Sequence, residues 1–170
     1  IYSYDCPFCY KYAKGVDAAV FKQVGDVAKF VPFHLKTKAR YGLWGSKVFA
    51  VALAQDKAAG LAPLDAKSKF HAVEMGLYKC YHVKKMKWDA GEDAFLETAL
   101  GFLGMSRADF DKACETPEVK ATIEAWEVSY PIAKIQGVPA YVVNGKYLMY
   151  TKNISSLDKM VENIKELSAK

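Results

Sequence analysis

Cys6-Pro7-Phe8-Cys9, near the start of the chain, places two cysteines three residues apart where the local sequence changes character. Residues 1–4 are mostly β-branched and aromatic, which is typical of the end of a strand. Good helix formers follow Cys9, and a proline at position 7 fits the first turn of a helix, where its missing N–H costs nothing. The pattern predicts a strand, a tight turn with Asp5 as the N-cap, and a helix that begins at or near Cys6.

The predicted position of Cys6 indicates thiol–disulfide exchange. Unpaired backbone N–H groups and the helix dipole stabilise an anion at a helix N-terminus. Cysteines in such motifs have pKa values lowered to roughly 3.5–7.5. Cys9 lies one helical turn further on, at the spacing where side chains become neighbours. We therefore expect Cys6 to be the solvent-exposed sulfur that is attacked, and Cys9 to be its buried partner.

Two other uses of the C-x-x-C motif have less support. A zinc site needs two further ligands, and the pairing on offer, Cys80 with His82, sets alternate residues of a helix on different faces. The other alternative is an inert local disulfide. We expect no metal site, and no cofactor other than the redox-active disulfide itself.

The composition predicts one domain, or one domain with a large insertion, because the chain has 170 residues and 52% hydrophobic residues. The sequence contains no apolar run long enough to span a membrane and does not open with a signal peptide. Because the chain begins within an apparent strand, we expect a signal peptide and the first part of the fold to precede Ile1.

The net charge of +5 comes mainly from scattered lysines that form no motif for reading nucleic acid, so we expect no nucleic-acid partner. A basic face that is merely solvated and one that attracts acidic partners both remain open.

The remaining two cysteines, Cys80 and Cys114, allow two interpretations. In an oxidising compartment they could form a structural disulfide, which closes a loop of about 35 residues and stabilises the fold by roughly 3–4 kcal/mol. The alternative is two buried side chains that act as small apolar groups.

The rest of the chain divides into a long helical block between two segments of mixed pattern. Residues 30–35 predict a short strand, and the period-two pattern near the C-terminus predicts a hairpin with Asn144-Gly145 as its turn, followed by a final helix capped at residues 155–156. The helical block has the following predicted signals: helix starts at Pro63, Glu92, Ser106 and Thr116, a stop at Gly104, and a break near Pro131. The sequence predicts an α/β domain of residues 1–36 and 137–170, with its first strand truncated, interrupted by a helical insertion over residues 37–136.

Two segments at opposite ends of the chain resemble the bacterial periplasmic DsbA family of thiol:disulfide oxidoreductases. They are residues 1–12, with the pattern C-P-x-C-Y, and the stretch that begins Gly137-Val138-Pro139-Ala140. The resemblance implies a thioredoxin fold with a helical insertion. It implies that Cys6 is the nucleophile and Cys9 its buried partner, with Pro7 and Phe8 completing the motif. Pro139 matches a cis-proline beside the disulfide, and Val138 would pair with bound substrate.

One departure from the family pattern concerns the motif dipeptide. DsbA has histidine where this chain has Phe8, and Phe8 has no side-chain group that can donate a hydrogen bond to a thiolate. Phe8 also resembles the DsbL-like branch of the family, which is basic and has its own membrane partner. Where acidic residues follow the motif in DsbA, this chain has Ala13 and Lys14, which favour the thiolate.

The family resemblance implies a periplasmic dithiol oxidase that donates its Cys6–Cys9 disulfide to newly translocated, reduced secreted proteins through a mixed disulfide at Cys6. It implies re-oxidation by a DsbB-type, quinone-linked membrane oxidase, and we expect the protein to be a monomer. Two alternatives remain open: a disulfide reductase or isomerase, and a redox-inert chaperone that binds peptides.

Overall fold

The computed structural model describes residues 1–170, and helices account for most of them. The α-helices are α1 (Pro7–Gly15), α2 (Asp17–Val24), α3 (Gly42–Ala58), α4 (Lys69–Tyr78), α5 (Glu92–Leu103), α6 (Arg107–Cys114), α7 (Pro117–Ala125), α8 (Ser129–Gln136) and α9 (Leu157–Ser168). A π-helical turn, Lys79–Val83, continues α4, and 3₁₀ turns occupy Trp126–Val128 and Thr151–Asn153. None of these helices is long and apolar enough to cross a membrane.

The predicted hairpin is confirmed. Strands β1 (Tyr141–Val143) and β2 (Tyr147–Met149) pair antiparallel, with Tyr141 opposite Met149. The turn residues Asn144 and Gly145 have φ values of 54° and 67°. Val143 pairs with Tyr147, so three residues separate the strands rather than the predicted two, and the Lys146 N–H donates to the Val143 carbonyl at 3.0 Å. Asparagine and glycine are the residues that tolerate positive φ best.

The strand predicted over residues 30–35 is wrong as a regular strand. Only one parallel bridge forms, between Tyr2 and His34. The Tyr2 N–H donates to the Phe33 carbonyl at 3.0 Å, and the Leu35 N–H donates to the Tyr2 carbonyl at 2.8 Å. Pro32 has no N–H with which to extend the ladder. The bridge nevertheless holds the segment that leads into Cys6 beside residues 33–35.

Several predicted helix boundaries are confirmed. α5 begins at Glu92 and ends before Gly104, whose φ of 70° is the left-handed conformation common after helices. The Ser106 hydroxyl accepts the N–H of Asp109 at 3.1 Å and caps α6, and α7 begins at Pro117. These ends follow from residues within one turn of the boundary, which is why the sequence alone predicts them.

Two other boundaries differ from the prediction. α4 begins at Lys69 rather than near Pro63, because the buried Asp56 carboxylate accepts the first two backbone N–H groups of α4 at 2.6 and 2.9 Å. The Ser68 hydroxyl accepts the third at 2.9 Å. The break predicted near Pro131 lies earlier, at Trp126–Val128. Pro131 occupies the first turn of α8, where its missing N–H costs nothing.

Two hydrophobic clusters form the core. The larger contains 25 buried residues and joins Tyr2, Tyr4, Cys6 and Cys9 to side chains of the helical block from α3 to α7. The smaller packs α2 and α9 against the hairpin, through the following residues: Val20, Val24, Val143, Met149, Met160, Val161 and Ile164. The division of the chain at residues 36 and 136 stays a prediction, and the larger cluster extends across it.

All four cysteines, including Cys6 and Cys9, are free thiols in the structure, so the disulfide between Cys80 and Cys114 stays a prediction. Cys80 is buried in the π-helical turn that continues α4. Cys114 is half-buried at the end of α6, which packs on α3, α5 and α7. Cys80 belongs to the larger cluster and Cys114 packs against it, which is compatible with either interpretation.

Candidate active site

Cys6 is the N-cap of α1, and Pro7 is its first residue. The Cys6 sulfur accepts the backbone N–H of Cys9 at 3.1 Å, as a serine or aspartate oxygen does in an ordinary cap. The prediction of Asp5 as the N-cap is therefore wrong by one residue. The consequence is that the sulfur lies directly at the positive end of the helix.

The expectation that Cys6 is solvent-exposed is wrong, since Cys6 and Cys9 are each 2% exposed. The Cys6 sulfur turns inward to cap α1, and its S–H donates to the Val138 carbonyl at 3.4 Å. Phe8, by contrast, is 64% exposed beside the dithiol. The motif thus presents an aromatic side chain to solvent and keeps both sulfurs in the core.

The two thiols have opposite pKa shifts. Hydrogen bonding from the Cys9 thiol is the largest influence on Cys6 and lowers its pKa to about 7; burial opposes this, while backbone N–H groups and the Lys38 charge assist it. Burial raises the pKa of Cys9 well above its usual range, and its hydrogen bond to Cys6 raises it further. Near neutral pH, Cys6 is therefore the thiol that ionises, while Cys9 keeps its proton.

The loop before β1 lies against the dithiol, although 132 residues separate Val138 from Cys6. The Val138–Pro139 peptide bond is cis, as predicted. The following residue, Ala140, donates its N–H to the Ile1 carbonyl at 3.0 Å, which fixes the loop beside the segment that leads into Cys6. The structure thus brings together the motif residues and the distant Val138-Pro139 pair that the sequence singled out.

The contacts of two side chains around the site, His82 and Lys38, escaped the sequence argument. His82, in the π-helical turn, bonds through Nε2 to the Tyr4 carbonyl at 3.0 Å, and its ring stacks on Tyr10. Lys38 forms an ion pair with Asp5 at 3.0 Å. No spacing rule links these positions, because the contacts depend on the tertiary fold. The structure contains no group of three or more histidine, cysteine or acidic side chains arranged to hold a metal ion.

Cys9 also lines a cavity of about 710 Å³ whose polar lining includes Asp17 and Glu74. Glu74 is buried, and burial, followed by the nearby Asp17, raises its pKa to about 8. Burial likewise raises the pKa of Asp17, although the Tyr141 hydroxyl donates a hydrogen bond to it. Two acids with raised pKa values therefore lie on the buried side of the dithiol.

Comparison with known proteins agrees with this geometry. Residues 1–165 match the family model described as the DSBA-like thioredoxin domain. The thiol:disulfide interchange protein DsbL of Escherichia coli O6:H1 is 52% identical over 172 residues, a match that covers 100% of this chain and 78% of the relative. The thiol:disulfide interchange protein DsbA of Dickeya dadantii is 27% identical, with 95% and 72% covered. The DsbL-like branch is thus the better match, as Phe8 indicated.

Solved structures agree as well. DsbL of Salmonella enterica serovar Typhimurium superposes with a TM-score of 0.96 at 53% identity, covering 99% of this chain and 86% of that one. A reduced DsbL gives the same TM-score at 52% identity, with 99% and 88% covered. The predicted α/β fold, a thioredoxin fold interrupted by a helical insertion, is confirmed. The chain belongs to the DSBA-like thioredoxin family and is a protein thiol:disulfide oxidoreductase.

Proposed function

We propose that this protein is a dithiol oxidase of the bacterial periplasm, which donates a Cys6–Cys9 disulfide to newly translocated, reduced secreted proteins. The observation that carries the proposal is the Cys6 sulfur at the N-cap of α1, where its pKa is lowered to about 7 by the Cys9 thiol. A thiolate that is stabilised in the reduced protein favours reduction of its own disulfide. The substrate is oxidised in the same step.

The reaction transfers two electrons from substrate to protein. A substrate thiolate attacks the Cys6 sulfur of the disulfide, the Cys6–Cys9 bond breaks, and Cys9 leaves as a thiolate that takes up a proton. A second substrate thiolate then attacks the substrate sulfur of the mixed disulfide and expels the Cys6 thiolate. Because the pKa of Cys6 is lowered, Cys6 is the better leaving group.

The loop at Val138 supplies a contact for the substrate backbone. In the reduced protein the Val138 carbonyl accepts the Cys6 S–H. A Cys6 sulfur in a mixed disulfide has no hydrogen, so this carbonyl becomes available to a backbone N–H of an extended substrate. We assign Val138 and Pro139 to substrate binding, together with Pro7 and the exposed ring of Phe8, which offers an apolar contact to unfolded chains.

The catalytic cycle needs an electron acceptor. We propose that a quinone-linked membrane oxidase of the DsbB type accepts these electrons. The reduced Cys6 and Cys9 thiols must pass their two electrons to it before the protein can oxidise the next substrate. We further propose that the protein acts as a monomer, uses no cofactor beyond its disulfide and binds no nucleic acid.

The test uses the oxidised protein and an unfolded, reduced model protein with two cysteines. The wild-type protein should convert the substrate to its disulfide form in stoichiometric amount. The Cys6→Ser variant should be inactive. In Cys9→Ser, the Cys6 thiolate should attack a substrate cysteine that is activated as a disulfide with an aromatic thiol, expel that thiol and remain in a mixed disulfide, because no Cys9 thiol is present to resolve it. A redox titration against glutathione should place the potential nearer the roughly −120 mV of DsbA than the roughly −270 mV of thioredoxin.

Other outcomes correspond to the alternatives. A potential near that of thioredoxin, with rapid reduction of insulin, would indicate a reductase, and efficient repair of scrambled ribonuclease would indicate an isomerase. The protein is a redox-inert chaperone if Cys6→Ser suppresses aggregation of an unfolded protein as well as the wild type does and also retains full biological activity in cells.

A further inference from the structure

An ion pair includes the residue that immediately precedes the nucleophile. The Lys38 ammonium donates to Asp5 Oδ1 at 3.0 Å, and the buried Ser3 hydroxyl donates to the same oxygen at 2.7 Å. The side chains of Asp5 and Lys38 are 13% and 37% exposed. Asp5 directly precedes Cys6, whose own N–H donates to the Ser3 carbonyl at 3.0 Å. The lysine is therefore held by a carboxylate one residue before Cys6, and Ser3 fixes that carboxylate in turn.

The dipeptide between the two cysteines supplies no positive charge to a Cys6 thiolate. Phe8 has no polar side-chain atom, so side-chain stabilisation of a Cys6 thiolate must come from outside the dipeptide. The Asp5 carboxylate, one residue from Cys6, alone disfavours a second negative charge there. Lys38 neutralises that carboxylate and adds its own positive charge to the same region.

Neighbouring lysines are engaged elsewhere. Lys36, two residues before Lys38, pairs with Glu127. Lys87 lies over the ring of Tyr81, 3.2 Å from its centroid. The charge of Lys38, after the Cys9 hydrogen bonds, helps to lower the pKa of Cys6.

We propose that Lys38, held by Asp5, is a positioning residue that stabilises the Cys6 thiolate through space and supplies the charge that Phe8 lacks. This inference rests on the proposed role of Cys6 as the nucleophile. The other ionisable groups near Cys6 are neutral where Cys6 titrates. The pKa of Cys9 is raised, chiefly by burial, and that of Tyr78 is raised for the same reason. Burial lowers the pKa of His82, which favours its uncharged form.

The decisive experiment breaks the ion pair from each side. Lys38→Met removes the positive charge. Asp5→Asn removes the negative charge but keeps an Oδ1 that can accept the hydrogen bonds from Lys38 and Ser3, so the lysine stays in place. If the pair acts electrostatically, Lys38→Met raises the Cys6 acid dissociation pKa and Asp5→Asn lowers it. A shift of about threefold in the dissociation constant is expected, since Lys38 is partly screened by solvent. If the pair serves only to hold the fold, both variants shift the titration in the same direction.

The readout is the pH dependence of thiolate absorbance in the reduced, full-length protein, repeated as the rate of alkylation of Cys6. Lys38→Arg should retain the wild-type titration, because it keeps the charge. Lys36→Met is the matched control and should also leave it unchanged. Thermal melting of each variant identifies any loss of fold, and Asp5→Asn alone tests the sign if Lys38→Met is unstable.

The outcomes separate the two proposals. Equal shifts in the same direction, or no shift in either variant, overturn the role of Lys38 while Cys6→Ser remains inactive. Activity in Cys6→Ser overturns the oxidase proposal, whatever the titrations show. Opposite shifts, with Lys38→Arg unchanged, support the inference.

Discussion

The Cys6 sulfur caps the helix that carries Cys9, because the Cys9 backbone N–H donates to it over 3.1 Å. The same atom is the proposed nucleophile, so one sulfur has a structural role and a chemical one. The choice of replacement at position 6 can therefore remove the thiol chemistry while keeping the cap, or remove both.

We expect Cys6→Ser to abolish oxidase activity while the reduced protein keeps its stability, because a serine hydroxyl is a preferred N-cap. Cys6→Ala should be equally inactive but less stable by about 0.5–2 kcal/mol, the usual loss for a missing cap. Chemical denaturation under reducing conditions measures the difference. Equal stability of the two variants would show that the sulfur contributes nothing as a cap.

The lowered pKa of Cys6 makes the stability of the reduced protein depend on pH. The folded value is about 7 and the ordinary value 9.0, so the folded protein releases this proton first. Stability contributed by Cys6 therefore increases as pH rises from about 7 to about 9, and is lost as pH falls through 7. We expect a gain of about 1–2 kcal/mol after solvent screening. Cys6→Ser, measured in parallel, should lack this increase.

Glu74 should produce the opposite trend. Its pKa is raised from 4.5 to about 8 by burial, so the folded protein keeps a proton that the unfolded chain has lost at neutral pH. Stability from this group falls as pH rises from about 4.5 to about 8. Glu74→Gln should match the wild type near pH 4.5 and exceed it by on the order of 3 kcal/mol at pH 7. A destabilised variant at pH 7 would mean that the ionised carboxylate has a stabilising partner.

The close contact between α4 and α5 depends on glycine, which has no side chain, at position 76. A Cβ at Gly76 would lie 2.6–2.7 Å from three ring carbons of Phe102, closer than any real contact. Gly76→Ala should therefore lower the free energy of unfolding by about 1–3 kcal/mol. Gly101→Ala, in α5 with open space around it, is the matched control and should raise it by about 0.5–1 kcal/mol through helix propensity. Similar melting temperatures for the two variants would contradict this packing.

The features that the sequence predicted correctly depend on short stretches of chain. The hairpin at Asn144-Gly145, the end of α5 at Gly104 and the start of α7 at Pro117 are all encoded within a few residues. The approach of Val138-Pro139 to Cys6 is long-range, and it was predictable only through resemblance to a family.

The incorrect predictions share a physical cause: a contact with a residue distant in sequence, rather than the local sequence, determines the structure at that position. The start of α4 is fixed by Asp56, from the preceding helix. Cys6 is buried because the Val138 loop covers it and the sulfur turns inward as a cap. The contact between Asp5 and Lys38 links positions 33 residues apart, a separation that no periodicity marks.

Cys6 and Cys9 belong to the same 25-residue core as the helices of the central block. The reduction potential of the dithiol is therefore linked to the free energy of unfolding. Oxidation and unfolding form one thermodynamic cycle. A substitution that destabilises the reduced protein more than the oxidised protein therefore makes it a weaker oxidant, by the difference between the two losses of stability. A difference of about 1.4 kcal/mol corresponds to about 30 mV for a two-electron couple. Core residues that never touch a sulfur can therefore tune the potential of the dithiol.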